Sequence, residues 1–434
     1  MAVRLAAADA DFQERFEALL GAKREVAAEV GSDVADILTQ VREGGDGALI
    51  ALTKRFDDVE LTPDTLAIGD GDMAAAEREC PKEALAALDA AARRIEAYHD
   101  RQMPADADFS DAEGVRLGWR WRPVQAAGVY VPGGRASYPS SVLMNVIPAR
   151  IAGVARIVMV VPAPKGVINP LVLAAARRAG VSEAYRVGGA QAVAALAYGT
   201  ETIAPVDKIV GPGNAWVAEA KRQVFGSVGI DMVAGPSEIL VVADGANDPD
   251  WIAIDLLSQA EHDAAAQSIL ITDDAEFADR VEAAVAARLK TLPRAAIAGE
   301  SWATNGAVIV VGDLAAAPAL VDLIAPEHLE LAVADPEALA GEVNNAGAIF
   351  LGRFTPEAVG DYVAGANHVL PTSRTARFSS GLSVLDFVKR TSIIGCDADA
   401  LGAIGPAAVT LAQAEGLDAH ALSIALRLNL PSSS

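Results

Sequence analysis

The sequence has little sulfur with which to build a metal or redox centre. Among 434 residues there are two cysteines, Cys80 and Cys396, and they form no CxxC pair. This excludes a disulfide framework and a cysteine zinc site, and both thiols are expected to be buried and structural. Basic residues are also scarce: 35 lysines and arginines stand against 58 aspartates and glutamates, a formal charge of −23. A groove for a phosphate backbone needs the opposite sign, so nucleic acid is excluded as an expected partner and the charge reads as solubility. No apolar run approaches the ~20 residues that span a bilayer. Asp9 and Asp11 stand where a signal or transit peptide would carry an apolar run or arginines. The expectation is a cytoplasmic protein with no membrane partner. Two phosphate motifs are missing as well. No GxGxxG lies at a strand–helix junction and there is no GxxxxGK[ST]. The absence of HExxH and HxxEH leaves a zinc hydrolase without its motif.

What is present is apolar substance: 52% of the chain is hydrophobic, enough for a large core and more than one domain. The first hundred residues read as helices, with helical spacing over residues 12–20, 25–41 and 82–98. Alternation over residues 115–121 predicts a strand, and residues 128–131 predict another running into a glycine loop. A strand–helix rhythm follows. Its strands are expected at 156–161, 185–187 and 208–210, with helices at 170–179 and 190–197. A second series has strands at 239–242, 268–271, 307–311, 329–333 and 348–351. After about residue 382 the strand signals stop, and residues 407–414 and 419–428 read as two helices. The fold class is therefore α/β: two Rossmann-like parallel-sheet domains without the GxGxxG fingerprint, plus a helical C-terminal tail. The boundaries fall at 1–129 with 238–381, at 130–237, and at 382–434, with ligands in crevices at the strand ends. The glycine turns Gly188-Gly189 and Gly211-Pro212-Gly213 either seat a phosphate or simply turn a strand into a helix.

Histidine is rare enough that each of the five has to be weighed. His99, beside Asp100 and Arg101, reads as surface or capping. His262 lies on a helix whose Ala253, Leu256, Leu257 and Ala260 form an apolar face. Asp255, Ser258, Gln259 and His262 fall on the other side, which serves a site or meets solvent. Gln259 and His262 are i and i+3 and therefore neighbours. Glu327-His328 is a plausible acid/base pair or an ordinary polar turn. Asp361 and His368 flank a loop, and Glu415 and His420 bracket the break between the last two helices. Imidazole and carboxylate are normal zinc ligands, whereas glutamine is a poor one on chemistry alone.

Several ordered segments share a family resemblance. They are Gly128-Val129-Tyr130-Val131-Pro132-Gly133-Gly134, Val187-Gly188-Gly189-Ala190-Gln191-Ala192, Lys208-Ile209-Val210-Gly211-Pro212-Gly213-Asn214 and Asp231-Met232-Val233-Ala234-Gly235-Pro236-Ser237-Glu238. Further along come Ser258-Gln259-Ala260-Glu261-His262-Asp263, Ala325-Pro326-Glu327-His328-Leu329-Glu330 and Asn367-His368-Val369-Leu370-Pro371-Thr372. With these the chain resembles the histidinol dehydrogenases from about residue 25 to 430. The stretch after the first of these motifs, Arg135-Ala136-Ser137, is one that varies and puts nothing in doubt.

The resemblance implies one zinc per subunit on Gln259, His262, Asp361 and His420, and Glu327 and His328 as the catalytic pair. It implies NAD contacts at Tyr130, Gln191 and Asn214. It places Ser237, Gln259, His262, His328, Asp361, Glu415 and His420 around the substrate. Residues 1–129 with 238–381 would be the zinc-bearing catalytic domain, 130–237 the NAD domain and 382–434 the dimerisation tail. The implied assembly is a homodimer in which the tail, with Glu415 and His420, completes the partner's active site. The implied reaction takes L-histidinol through L-histidinaldehyde to L-histidine, the last steps of histidine biosynthesis. The alternative is a related zinc and NAD dehydrogenase of another small alcohol or diol. Ser237 and Glu415 favour histidinol, whose ammonium and imidazole need acceptors. A non-catalytic binding protein leaves Glu327-His328 unexplained.

Overall fold

Continuous apolar runs make strands buried on both faces, and every residue of Glu238–Ala243 and Gln267–Thr272 is buried. The computed structural model describes residues 2–22, 30–133 and 138–430. The N-terminal part of the expected 25–41 helix, to residue 29, and Gly134 to Ser137 of the glycine loop lie outside them. Its strands are, in chain order, β1 (Val3–Ala6), β2 (Ala107–Ser110), β3 (Arg116–Pro123), β4 (Ala126–Tyr130), β5 (Arg156–Val160), β6 (Glu183–Tyr185) and β7 (Lys208–Val210). They continue as β8 (Gly229–Ile230), β9 (Glu238–Ala243), β10 (Gln267–Thr272), β11 (Ala307–Val310), β12 (His328–Ala332), β13 (Ala348–Leu351) and β14 (Val388–Gly395).

The chain forms two compact units. The first is Met1–Gln102 with Gln125–Phe387, the second Met103–Val124 with Val388–Ser434. The first holds two parallel sheets, of order β6-β5-β4-β7-β8 and β1-β11-β10-β9-β12-β13. In each, the chain leaves the starting strand on one side and later returns to pair on its other side. The switch points are β4/β7 and β9/β12.

Helices cover the sheets where sequence periodicity placed them, among them Lys82–His99, Pro170–Ala179 and Gly189–Tyr198. The helix Pro249–Ala260 shows why. Asp248 caps it by accepting from the Asp250 amide, and Pro249 occupies the first turn, where no donor is needed. Ile252, Ala253, Leu256, Leu257 and Ala260 then pack on Ile239 and Val241 of β9. Burying each leucine contributes roughly 1.5–3 kcal/mol. That anchors the last turn, which carries Gln259 and leads into the turn bearing His262.

The structure departs from the sequence reading in five places. The first hundred residues are not all helical: β1 joins the edge of the six-stranded sheet by pairing in parallel with β11. The helix expected over 25–41 runs from Gly31 to Asp57, with Gly45 (φ 53) kinking it. Strands do not stop at 382, since β14 pairs antiparallel with β3 over its whole length. Its residues are mostly exposed, so it lacks the apolar alternation that marks a half-buried strand. Cys80 is buried, but Cys396 is exposed.

Finally, His99 is neither surface nor cap. It ends its helix fully buried, with Nδ1 2.7 Å from the Ile95 carbonyl and Nε2 3.3 Å from the Asn367 side-chain amide. A carbonyl only accepts, so Nδ1 carries the proton and Nε2 accepts from Asn367. Burial lowers the pKa of His99 below its ordinary value of 6.5. The unfolded chain then binds this proton more readily. The contribution to stability is complete above about pH 6.5 and is lost as pH falls from there toward the folded value. We expect His99→Gln to lower the melting temperature at pH 7.5 but to lose less on going to pH 5.5 than the parent protein. Equal losses in the two proteins would exclude the assignment.

The second unit is the antiparallel sheet β14-β3-β2 with the helices Ala398–Ala414 and Asp418–Ala425. Glu415 follows the first of these helices and His420 lies in the first turn of the second, both exposed. Among the described residues, no helix is long and apolar enough to cross a membrane.

Candidate active site

The parallel register of β9 and β12 sets His328 opposite Ile239 and brings Glu327 beside Glu238. The backbone of Glu238 grips both members of the pair. Its N–H donates to Glu327 Oε2 at 2.8 Å, and its carbonyl accepts from His328 Nδ1 at 3.0 Å. The Glu238 carboxylate in turn accepts from the Ser373 amide at 3.0 Å. Two local features force the approach to β12. Ala325 ends the preceding helix in the left-handed region (φ 47), at a cost of roughly 1–2 kcal/mol for a residue with a Cβ. Gly347 lies so close that a Cβ there would stand 2.5 Å from the Glu327 carbonyl oxygen.

This grip settles the His328 tautomer. With Nδ1–H committed to a carbonyl, Nε2 holds the lone pair. Burial pushes the His328 pKa down to about 4, against the opposing pull of the Asp361 charge, so the ring is neutral at pH 7. Nε2 lies 3.7 Å from Glu357 Oε1. The pair is therefore a neutral imidazole base beside a carboxylate held by a backbone N–H, the arrangement of an acid/base site.

A second group of side chains adjoins it. Gln259 is 0% exposed, with Nε2 3.0 Å from His262 Nδ1, as the i, i+3 spacing predicts. Gln259 Oε1 is buried with no hydrogen-bond partner. Asp361 sits on the short helix Glu357–Tyr362, and its carbonyl accepts from His368 Nδ1 at 3.0 Å. His368 Nε2 is 3.2 Å from Ser141 Oγ, at the start of the helix that follows β4 and its glycine loop. His368 thus joins the helix after β4 to the short helix that carries Asp361. Ser237, immediately before β9, is partly buried and uses its carbonyl to accept from Gln267.

The sequence reading missed Glu357. His328, Glu357 and Asp361 each offer a ligand atom within 4.8 Å of the others. Glu357 is i−4 to Asp361 on one helix, a spacing that would have found it. Its carboxyl is pushed up to about 10, first by burial and then by the charges of Asp361, Glu330 and Glu327. Glu330, which accepts from the Glu357 amide, is raised well above its ordinary range by burial and by Asp255. Asp255, partly buried, is itself pushed up to about 6 by burial. Acids crowded in this way, next to an unpartnered buried amide oxygen, have the chemistry of a cation site. A divalent ion fits this donor set.

At the carboxyl ends of the five-stranded sheet, Tyr130 OH accepts from the Gly189 amide at 3.1 Å. Burial pushes its pKa up to about 12, and its own hydrogen is left to give. Gln191 is buried in the first turn of the helix Gly189–Tyr198, while Asn214 is exposed. Asn214 Oδ1 caps the helix Ala215–Val224, accepting from Trp216 and Val217. Gly211 (φ 109) must be glycine, because a Cβ would lie 2.1 Å from the Tyr130 carbonyl oxygen. Two helix N-termini and a glycine cradle at a topological switch point fit a dinucleotide's phosphates. The proposed NAD residues thus stand at carboxyl strand ends, whereas Glu327 and His328 stand at the amino end of β12. Glu415 and His420, exposed, belong to the second unit.

Comparison with known proteins identifies the family of the chain. The family model described as histidinol dehydrogenase matches residues 21–428. A histidinol dehydrogenase of Rhodospirillum rubrum is 68% identical over 430 residues, covering 99% of both chains. One from Ruegeria pomeroyi is 65% identical, covering 96% of this chain and 97% of the relative. The crystal structure of histidinol dehydrogenase from Elizabethkingia anophelis superposes with a TM-score of 0.93 at 36% identity, covering 99% of this chain and 98% of that one. With the family matched over nearly its whole length, the chain belongs to the histidinol dehydrogenase family.

Proposed function

We propose that the chain oxidises L-histidinol through L-histidinaldehyde to L-histidine, the last steps of histidine biosynthesis, as a cytoplasmic zinc- and NAD-dependent homodimer. The observation that carries this reading is the locked tautomer of His328, a buried neutral base adjoining Glu327. The relatives' name supplies the substrate.

One zinc per subunit would be held by Gln259, His262, Asp361 and His420, the unpartnered Gln259 oxygen supporting this choice. NAD would lie on the side of Tyr130, Gln191 and Asn214, so that residues 130–237 form the NAD domain. Residues 1–129 with 238–381 would form the catalytic domain. When bound, zinc supplies positive charge that orients the substrate, and NAD supplies the hydride acceptor.

The chain's own side chains move the protons. His328 Nε2 takes the proton from the alcohol oxygen as the hydride departs. The aldehyde carbon carries no hydroxyl, so it must be hydrated before a second hydride can leave. Glu327, held by the Glu238 amide, takes the proton from the adding water. As water adds, His328 returns its proton to the former carbonyl oxygen, and it is then free to take the proton of the hydrate in the second oxidation. Ser237 and Glu415 offer acceptors to the substrate's ammonium and imidazole. The tail, 382–434, would bring Glu415 and His420 to the partner's site.

The test is the stoichiometry of NADH formed per histidinol consumed, for which we expect two. A value of one with aldehyde accumulating refutes the second oxidation, and no NADH refutes the reaction.

A further inference from the structure

One buried ion pair takes no part in the chemistry described so far. Lys221 and Asp231 are each 1% exposed at the side chain, and Lys221 Nζ bonds Asp231 Oδ1. Buried lysine and aspartate are costly to desolvate, and they persist where their remaining hydrogen-bonding capacity is used. Here it is used on the backbone, and mainly on one residue. Lys221 Nζ donates to the Gly211 carbonyl at 2.9 Å, and Asp231 Oδ2 accepts the Gly211 N–H at 2.8 Å. Asp231 Oδ1 also accepts from Met232 at 2.6 Å. Both backbone polar groups of Gly211 are therefore held by opposite charges, one from the helix Ala215–Val224 and one from the residue after β8.

Gly211 is the point on which this part of the fold turns. It presses on the Tyr130 backbone in a left-handed conformation, and three residues later Asn214 caps the helix that carries Lys221. Lys221 and Asn214 are i+7 and i, two turns apart on one helix face. The pair thus holds the loop 211–214 through Gly211, and Asn214, read above as an NAD contact, ends that loop.

We propose that Lys221 and Asp231 are positioning residues for the dinucleotide: their buried ion pair grips Gly211 and holds the loop 211–214 in its binding shape before NAD arrives. This rests on the reading that NAD lies on Tyr130, Gln191 and Asn214. Its physical content is preorganisation, in which loop ordering is settled during folding and does not weaken binding.

The test uses metal-loaded protein. Lys221→Met/Asp231→Asn removes both charges together, leaving neither buried alone, and keeps an acceptor for the Gly211 N–H. We expect the NAD dissociation constant, by calorimetry, and the KM for NAD to rise about tenfold. We expect kcat at saturating NAD and the KM for histidinol to stay within about twofold. A folded variant with unchanged NAD affinity overturns the proposal, as does one in which kcat falls while NAD affinity holds. Wild-type protein that binds no NAD overturns the NAD reading as well, so the two failures are distinguishable. Hydrogen exchange on the wild-type protein gives a test free of any variant. The Gly211 amide should be protected equally with and without NAD, and protection that appears only on adding NAD overturns the proposal.

Discussion

His328→Asn should lower turnover by about 10² to 10⁴, the usual effect of losing a general base, while zinc content and fold match the parent enzyme. Asparagine is too short to carry a lone pair to the place of Nε2, although its amide can still donate toward the Glu238 carbonyl. The loss should fall on kcat and on kcat/KM alike, because the proton moves only in the transition state. Zinc content is the decisive second measurement. His328 also belongs to the cluster with Glu357 and Asp361 whose ligand atoms lie within 4.8 Å of one another. If His328 were a ligand, the variant would lose its metal, and its inactivity would say nothing about proton transfer. Retained zinc with lost turnover assigns His328 to the proton. Lost zinc transfers it to the metal shell and overturns the ligand set Gln259, His262, Asp361 and His420.

This choice could not be made from sequence, and the reason is physical. Periodicity reports burial, so it found the strands buried on both faces, such as β9 and β10, and the apolar face of the helix Pro249–Ala260. It passed over β14, whose stability comes from backbone pairing with β3 and not from burial. It treated the polar face around Asp255 and Gln259 as equally suited to solvent, because a polar face against a buried acid cluster has the same spacing as one against water. His99 escapes the same reading, because one of the partners it meets when buried, Asn367, is 268 residues away in sequence. Gln259 became a candidate only through family resemblance. The structure adds a physical argument, an amide oxygen sealed from water with nothing to accept from. The resemblance also did not show that the two groups of candidate residues would sit at opposite kinds of strand end. The NAD candidates follow the rule of carboxyl ends at a switch point, and His328 at the amino end of β12 does not.

The largest effect tied to the assembly concerns His420. His420→Asn should lose zinc and nearly all activity, and so should His328→Asn on the activity side alone. Mixing the two inactive proteins under conditions that exchange subunits should then restore activity. In a hybrid dimer, one site combines an intact His328 from the first subunit with an intact His420 from the second. The other site lacks both. Random re-pairing of equal amounts makes half the dimers hybrid, each with one working site of two, so about a quarter of wild-type activity should return. The alternative is that His420 serves the site of its own chain. Every site in the hybrid would then carry one lesion, and mixing would restore nothing. That result would remove the tail exchange from the proposed function while leaving the roles of Glu327 and His328 untouched. Because both variants are inactive alone, any recovery must come from sharing between chains, which makes the mixture a stronger test than a deletion of the tail that also costs the dimer.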